Sequence, residues 1–295
     1  MPNWTYNELR FKSEDDCKKV AKLMKSKDSD FDFNNIIPMP TYLNSIPGFS
    51  THEHTRALAY AFSKGEKITE REMEDAIKQA YPQIKDVADT LPLDTLLFAA
   101  SREPYVLSRN DIIILTRIAD TTDYKTDIAR YQPFNTNAPK TYAEYAELVK
   151  RAIFETGCLN WYSWSVDHWG SKWNASDVNV DIKGKRIYWQ TAWSPTPNIV
   201  AAIHEKTNIP MYYIFTEEQI TAFAGEMIFK DGKVKIHNVD DPTECFQLAV
   251  FMETVDQSSC RMTADEDFVY EDEDEWDSAK EITAKATLEQ EFLSI

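Results

Sequence analysis

The sequence predicts an α+β fold, an antiparallel sheet with packed helices, and three observations carry that expectation. Short alternating apolar stretches are interleaved with stretches of helical period. Turn signals such as Lys183-Gly184-Lys185 and Asp231-Gly232 separate them. Six of the eight tryptophans lie between Trp161 and Trp193, a density that only a packed centre or an aromatic surface accommodates.

The elements follow in order. Trp4 to Phe11 alternates as a strand, with Trp4, Tyr6 and Leu9 or Phe11 as its large members. Ser13 and the acids after it open a helix over residues 14–26, with Cys17, Val20, Ala21 and Met24 on its apolar face. Phe31 to Pro38 reads as a second strand, ended by Pro38 and Pro40. Residues 48–140 change character. Thr69-Glu-Arg-Glu72 and Ser108-Arg-Asn-Asp111 are capping-box patterns, Ile112–Leu115 suits a buried strand as well as a helix, and 121–140 read as a linker. An inserted helical subdomain is expected there.

Thr141-Tyr-Ala-Glu144 starts a helix to Thr156 that Gly157 stops. Trp161, Tyr162 and Trp164 have period-2 placement near strands. Val178–Ile182 and Arg186–Trp193 form a strand pair. Ser194 caps, and Pro195 begins, a helix to Lys206 that buries Ile199, Val200 and Ile203. Met211–Phe215 is a strand, Phe223–Phe229 and Val234–Val239 form a hairpin about Asp231-Gly232, and Asp241-Pro242 caps a helix over 242–254. A last helix is expected near 278–292. Without the insertion this order fits an elaborated ferredoxin-like layer. The scaffold is then residues 1–47 and 141–239, the inserted helical subdomain 48–140, and an acidic C-terminal region 240–295.

Net charge is −17. A nucleic-acid binder needs Lys and Arg to displace counterions from phosphates, so direct binding to nucleic acid is not expected. The charge is also uneven: residues 236–277 hold 14 acids and one base, Arg261. No apolar run approaches the ~18 residues of a membrane span, and no basic, then apolar leader precedes Trp4. Cys17, Cys158, Cys245 and Cys260 lack CxxC spacing and fit reduced thiols of a cytoplasmic protein, although a Cys245–Cys260 bond is conceivable.

Two features invite a functional reading. Trp4, Trp161, Trp164, Trp169, Trp173, Trp189 and Trp193 are expected in the structural core, packed on the Ile199/Val200/Ile203 face. The alternative is a base-stacking platform along Trp161–Trp193, with Lys172, Lys183, Lys185 and Arg186 following phosphates and the acidic tail autoinhibitory. The second feature is Asp265, Glu266, Asp267, Phe268, Tyr270, Glu271, Asp272, Glu273, Asp274, Glu275, Trp276 and Asp277. An acidic run is ordinarily a solvated tail. Its interleaved aromatics instead suit a partner-binding segment that approximates the charge density of duplex DNA and meets a basic groove.

Catalytic constellations are weak. His52-Glu53-His54 lacks the i, i+4 spacing of a zinc-binding helix. Asp167-His168 has no nucleophile in a tight turn, and Glu217-Glu218 on a strand point to opposite faces. Seven glycines leave no phosphate cradle. No catalytic residue, metal or cofactor is expected.

Met1-Pro-Asn-Trp4, Phe33 to Pro40, Trp161-Tyr-Ser-Trp164 through Trp169-Gly-Ser-Lys-Trp-Asn-Ala175, and Thr191-Ala-Trp-Ser-Pro195 occur in order. Together they resemble ferredoxin-like-domain proteins carried by bacteriophages and plasmids, over residues 1–45 and 141–235. The length and acidic distal region also resemble phage-encoded inhibitors of the Gabija anti-phage complex. What the resemblance implies is a non-catalytic inhibitor in the bacterial host cytoplasm, forming a homo-oligomer, that binds a host nuclease–helicase defence complex and keeps DNA out.

Overall fold

The computed structural model describes residues 2–46, 142–158, 160–220, 223–263, 268–270, 279 and 281–294. Two compact units result, one of Met1–Pro38 with Ser165–Ile295 and one of Met39–Trp164. The first unit therefore takes in the C-terminal residues that charge alone sets apart. The expected helical subdomain, its capping boxes and His52-Glu53-His54 lie outside the described residues.

The first unit is built on a six-stranded antiparallel sheet. Strand β1 is Trp4–Phe11, and α1, Glu14–Met24, follows it with Ser13 as N-cap, its side chain accepting from the Asp16 amide at 3.1 Å. Strands β2, Ser176–Asp181, and β3, Arg186–Ala192, form a hairpin. In the second unit α2 is Tyr142–Thr156, and α3, Trp161–Trp169, leads out of that unit. Helix α4, Pro197–Thr207, precedes β4, Met211–Glu217. The sheet order is β2-β3-β1-β4, with every neighbouring pair antiparallel. With α1 and α4 as the crossovers, that is the β-α-β-β-α-β arrangement of a ferredoxin-like fold.

Strands β5, Ala224–Lys230, and β6, Lys233–Val239, extend the sheet beyond β4. Asp231 and Gly232 between them take positive φ of 51° and 69°, as a two-residue turn of primed type requires. Helix α5, Pro242–Phe251, has the anticipated Asp241 cap on the Glu244 amide at 2.9 Å. Strands β7, Cys260–Met262, and β8, Phe268–Tyr270, pair separately, and α6, Glu289–Ser294, ends the chain.

Alternation along the strands sorts the core. On the first face Trp189 stacks between Phe31 (4.6 Å) and Tyr213 (5.9 Å), and its Nε1 donates to Thr196 Oγ1 at 3.1 Å. Tyr213 donates to Asn7 Oδ1 at 2.6 Å and accepts from the Thr196 amide at 2.9 Å. Thr196 is the N-cap residue of α4, so the buried indole and phenol fix where that helix begins. On the second face Tyr212, Ile214 and Ile228 pack with Cys245, Leu248 and Phe292 of α5 and α6. Strand β4, covered on both faces, is buried at every position.

Four expectations are corrected. Phe31–Pro38 is no strand: Phe33–Asn35 is a 3-10 turn capped by Asp32, because an aspartate that bonds the amide two residues on stabilises a turn over extended backbone. Trp161 and Trp164 lie on α3, where Asn160 Oδ1 accepts from the Ser163 amide at 3.0 Å and nucleates a helix. Helix α4 starts at Pro197 because Trp193 has φ of 64° and the Thr191 hydroxyl holds the Ser194 carbonyl at 2.7 Å. The last helix is confined to Glu289–Ser294, while 281–286 runs without regular structure.

Asp32 also ties the turn to the segment before β2. Burial pushes its carboxyl up, but hydrogen bonds from Asn174 Nδ2 (2.7 Å), the Asn34 amide (2.9 Å) and the Asn34 side chain (3.0 Å) outweigh this and hold it below the usual carboxylate range. A depressed carboxyl adds stability above its unfolded pKa of about 3.9 and loses it as the pH falls through the folded value. Urea melts of the protein and of Asp32→Asn should therefore differ most above about pH 5 and converge as the pH falls through the lowered folded value. A gap that stays constant across that range contradicts the assignment.

Candidate functional site

Three surfaces of the first unit are candidates, and each follows from local folding. The first is the acidic run. Within it, β8 pairs with β7 at Cys260↔Tyr270, Arg261↔Val269 and Met262↔Phe268, burying Val269 and leaving Tyr270 48% exposed. Beyond it Ala279 is buried, and the Ile282 backbone exchanges two hydrogen bonds with the Gln257 side chain, at 2.5 and 2.8 Å. Within the run β8 is thus paired, and after it Ala279 and Ile282 are held. Asp265, Glu266, Asp267, Glu271, Asp272, Glu273, Asp274, Glu275, Trp276 and Asp277 lie outside the described residues.

Further on, the buried Glu226 carboxylate accepts from the amides of Thr287 (2.9 Å) and Leu288 (3.2 Å) and from the Tyr212 hydroxyl. His237 Nδ1 lies 3.0 Å from its second oxygen. Burial, then the Glu226 hydrogen bond, pushes the Tyr212 phenol far above its ordinary range, so it stays a donor.

The second surface is aromatic. Trp164, Trp169 and Trp189 are buried, as expected, and Trp4 and Trp161 are half-buried. Trp169 donates to the Ile37 carbonyl at 2.9 Å. Trp173 and Trp193 depart from the expected core: they are 40% and 44% exposed, with ring centroids 5.5 Å apart. Lys172 Nζ lies 4.7 and 5.1 Å from the two ring centres. The cause is backbone geometry. At Trp193 the chain leaves β3 in a left-handed conformation, rare for a bulky residue, which turns the indole away from the face that carries Trp189.

The third surface was not singled out by the sequence. On the second face, beside α5, a cavity of about 380 Å³ opens over β1, β3 and β2. Tyr6 and Glu8 of β1 and Arg186, Tyr188 and Gln190 of β3 form its floor, and Met252, Glu253 and Thr254 after α5 form a wall. The Tyr6 and Tyr188 rings stack at 6.3 Å. Buried Glu8 meets Arg10 at 2.5 Å, and Arg10 continues to Glu289 at 3.1 Å and over the Phe251 ring. Arg186, grouped with Lys172, Lys183 and Lys185 by sequence, belongs here among carboxylates. The clue was available: alternation puts Tyr6 and Glu8 on the same face as Arg186 and Tyr188 once β1 and β3 are paired.

Asp167 and His168 sit in the last turn of α3. Glu217 is buried and accepts from the Gln219 amide at 2.8 Å, whereas Glu218 is half-buried. The four cysteines are buried and form no disulfide among the described residues, Cys245 and Cys260 included. Burial pushes the Cys17 and Cys245 thiols up to about 11. Among the described residues no helix is long and apolar enough to cross a membrane.

A family model described as the ferredoxin-like domain in Api92-like protein matches residues 168–258. That span runs from the end of α3 through β2–β6 and α5, so the chain carries a ferredoxin-like α+β domain. Among solved structures, the crystal structure of protein api92 from Yersinia pseudotuberculosis is similar at 11% identity and a TM-score of 0.36, covering 81% of this chain and 98% of that one. No curated protein matches the chain.

Of the described tryptophans, Trp173 and Trp193 are the exposed pair. Replacing both with phenylalanine should remove most of the acrylamide-accessible emission and change stability by less than about 0.5 kcal/mol. Trp189→Ala should cost about 3–5 kcal/mol. Equal destabilisation by the two changes would overturn this division of core from surface.

Proposed function

We propose that the protein is a phage-encoded, non-catalytic inhibitor that binds a host anti-phage defence complex of the nuclease–helicase type, such as Gabija. Its acidic surface blocks that complex's access to DNA. The observation that supports this reading is the pairing of β8 within the acidic run and the hydrogen bonds that hold Ile282 after it. A carboxylate-rich segment held between fixed points loses less entropy on docking than a free tail, and a basic DNA groove attracts it over the range of a Debye length. The ferredoxin-like sheet is the rigid support, and a homo-oligomer in the host cytoplasm repeats the acidic surface.

With the purified nuclease–helicase complex, replacing Asp272, Glu273, Asp274 and Glu275 by lysine should weaken binding at least about tenfold and flatten its salt dependence. DNA cleavage should be restored in parallel. Unchanged affinity and an unchanged salt slope would reject the electrostatic mechanism.

The exposed Trp173–Trp193 pair beside Lys172 favours a second reading, stacking of single-stranded nucleic acid with the acidic run as an autoinhibitory mimic. Deleting residues 264–277 should then expose single-strand binding that Trp173→Ala abolishes. An absence of binding after the deletion excludes it.

A further inference from the structure

The cavity over β1, β3 and β2 has the size of a small-ligand site. Its floor is the stacked pair Tyr6 and Tyr188 on two neighbouring central strands, the place where single-strand binders of related architecture stack bases. The charges select a different occupant. Glu8, Asp181 and Glu253 line the cavity with Arg186, and because Arg10 pairs with Glu8 at 2.5 Å, the carboxylates of Asp181 and Glu253 outnumber the one remaining cation and favour a cation over a phosphate.

The pairing of Arg186 leaves room for a second cation. It lies 3.5 Å from Glu253, 3.6 Å from Asp181 and 3.8 Å from Glu8, all beyond the ~2.7–2.9 Å of a charge-assisted hydrogen bond. The floor phenols keep their protons. Burial first, then Glu218, Glu217 and Asp177, push the Tyr6 phenol up, and burial takes Tyr188 to about 12.

Glu253 is the residue just past the C-cap of α5, with φ of 59°. Glycine or asparagine suits that left-handed position, and the helix dipole disfavours a carboxylate there. On both counts glutamate is a poor choice for ending the helix, yet it places a carboxylate at the cavity rim.

We propose that this cleft binds a guanidinium group, the side chain of an arginine on a partner protein, between the Tyr6/Tyr188 rings and the carboxylates of Asp181 and Glu253. The rings supply cation–π attraction and the carboxylates supply charge. The proposal deepens the reading that an acidic surface meets a basic partner and rests on it for the identity of the ligand's source.

The test titrates the full-length protein with N-acetyl-arginine methylamide, with an arginine-containing pentapeptide and with the neutral citrulline analogue, following backbone amide resonances. Both arginine probes should perturb residues 6, 8, 188 and 253 with an affinity of about millimolar, the peptide more tightly, and citrulline should not. Glu253→Gln should weaken binding about three- to tenfold. Glu253→Gly separates function from structure, since it should raise the melting temperature while weakening binding. Equal perturbation by citrulline, a tighter fit for the free amino-acid derivative than for the peptide, or a Glu253→Gly variant that melts lower and binds unchanged each overturns the proposal. Because Asp272–Glu275 are untouched, failure here is distinct from failure of the inhibitor reading.

Discussion

The buried carboxylate of Glu226 is the constraint on which the second face of the sheet depends. A carboxylate taken out of water is costly unless its lone pairs are filled, and here Tyr212, Thr287 and Leu288 donate to it while His237 lies alongside. Two of those donors are backbone amides of the C-terminal segment. Strand β5 therefore holds the end of the chain directly, and Leu288 and Phe292 fall onto the cluster formed by Tyr212, Ile214 and Leu248. Removing the carboxylate would leave the Leu288 amide and the Tyr212 phenol buried without that acceptor, a larger loss than the bonds themselves.

That attachment determines which parts of the sheet remain open. The first face is closed by α1 and α4 around the Phe31–Trp189–Tyr213 stack. On the second face α5 and α6 pack with β4 and β5, and a cavity remains over β1, β3 and β2. Aromatic residues follow the same division. Trp169 and Trp189 donate their N–H groups to protein acceptors, whereas Trp193 stands outside because the chain turns left-handed at the end of β3, and Trp173 lies beside it.

Much of the scaffold was legible because each element carried its own signal. Ser13, Asp231-Gly232 and Asp241-Pro242 specify caps and a turn locally, and the structure uses them as read. Two of the failures share one cause, in that a side chain bonding nearby backbone overrode the apolar pattern. Asp32 turned Phe31–Pro38 into a 3-10 segment, and Asn160 started a helix where Trp161 and Trp164 suggested strand spacing. The cleft was hidden for a different reason. Tyr6, Arg186 and Glu253 come from three distant places in the chain, and only the pairing of β1 with β3 and the exit of α5 bring them together. Exposure of Trp193 was equally invisible, since it follows from a single φ angle rather than from residue type.

The central claim is that strand β8 of the acidic run is paired with β7 and that the segment after the run is held by Gln257 and Glu226. Hydrogen exchange across residues 258–294, measured for the native protein and for Glu226→Ala, tests this most directly. The account predicts slow exchange at β8, at Ile282 and at Thr287–Leu288 in the native protein. In the variant protection should fall at Thr287–Leu288 and α6 while β1, β3 and β4 stay protected. Exchange at free-chain rates throughout 268–294 of the native protein would contradict it.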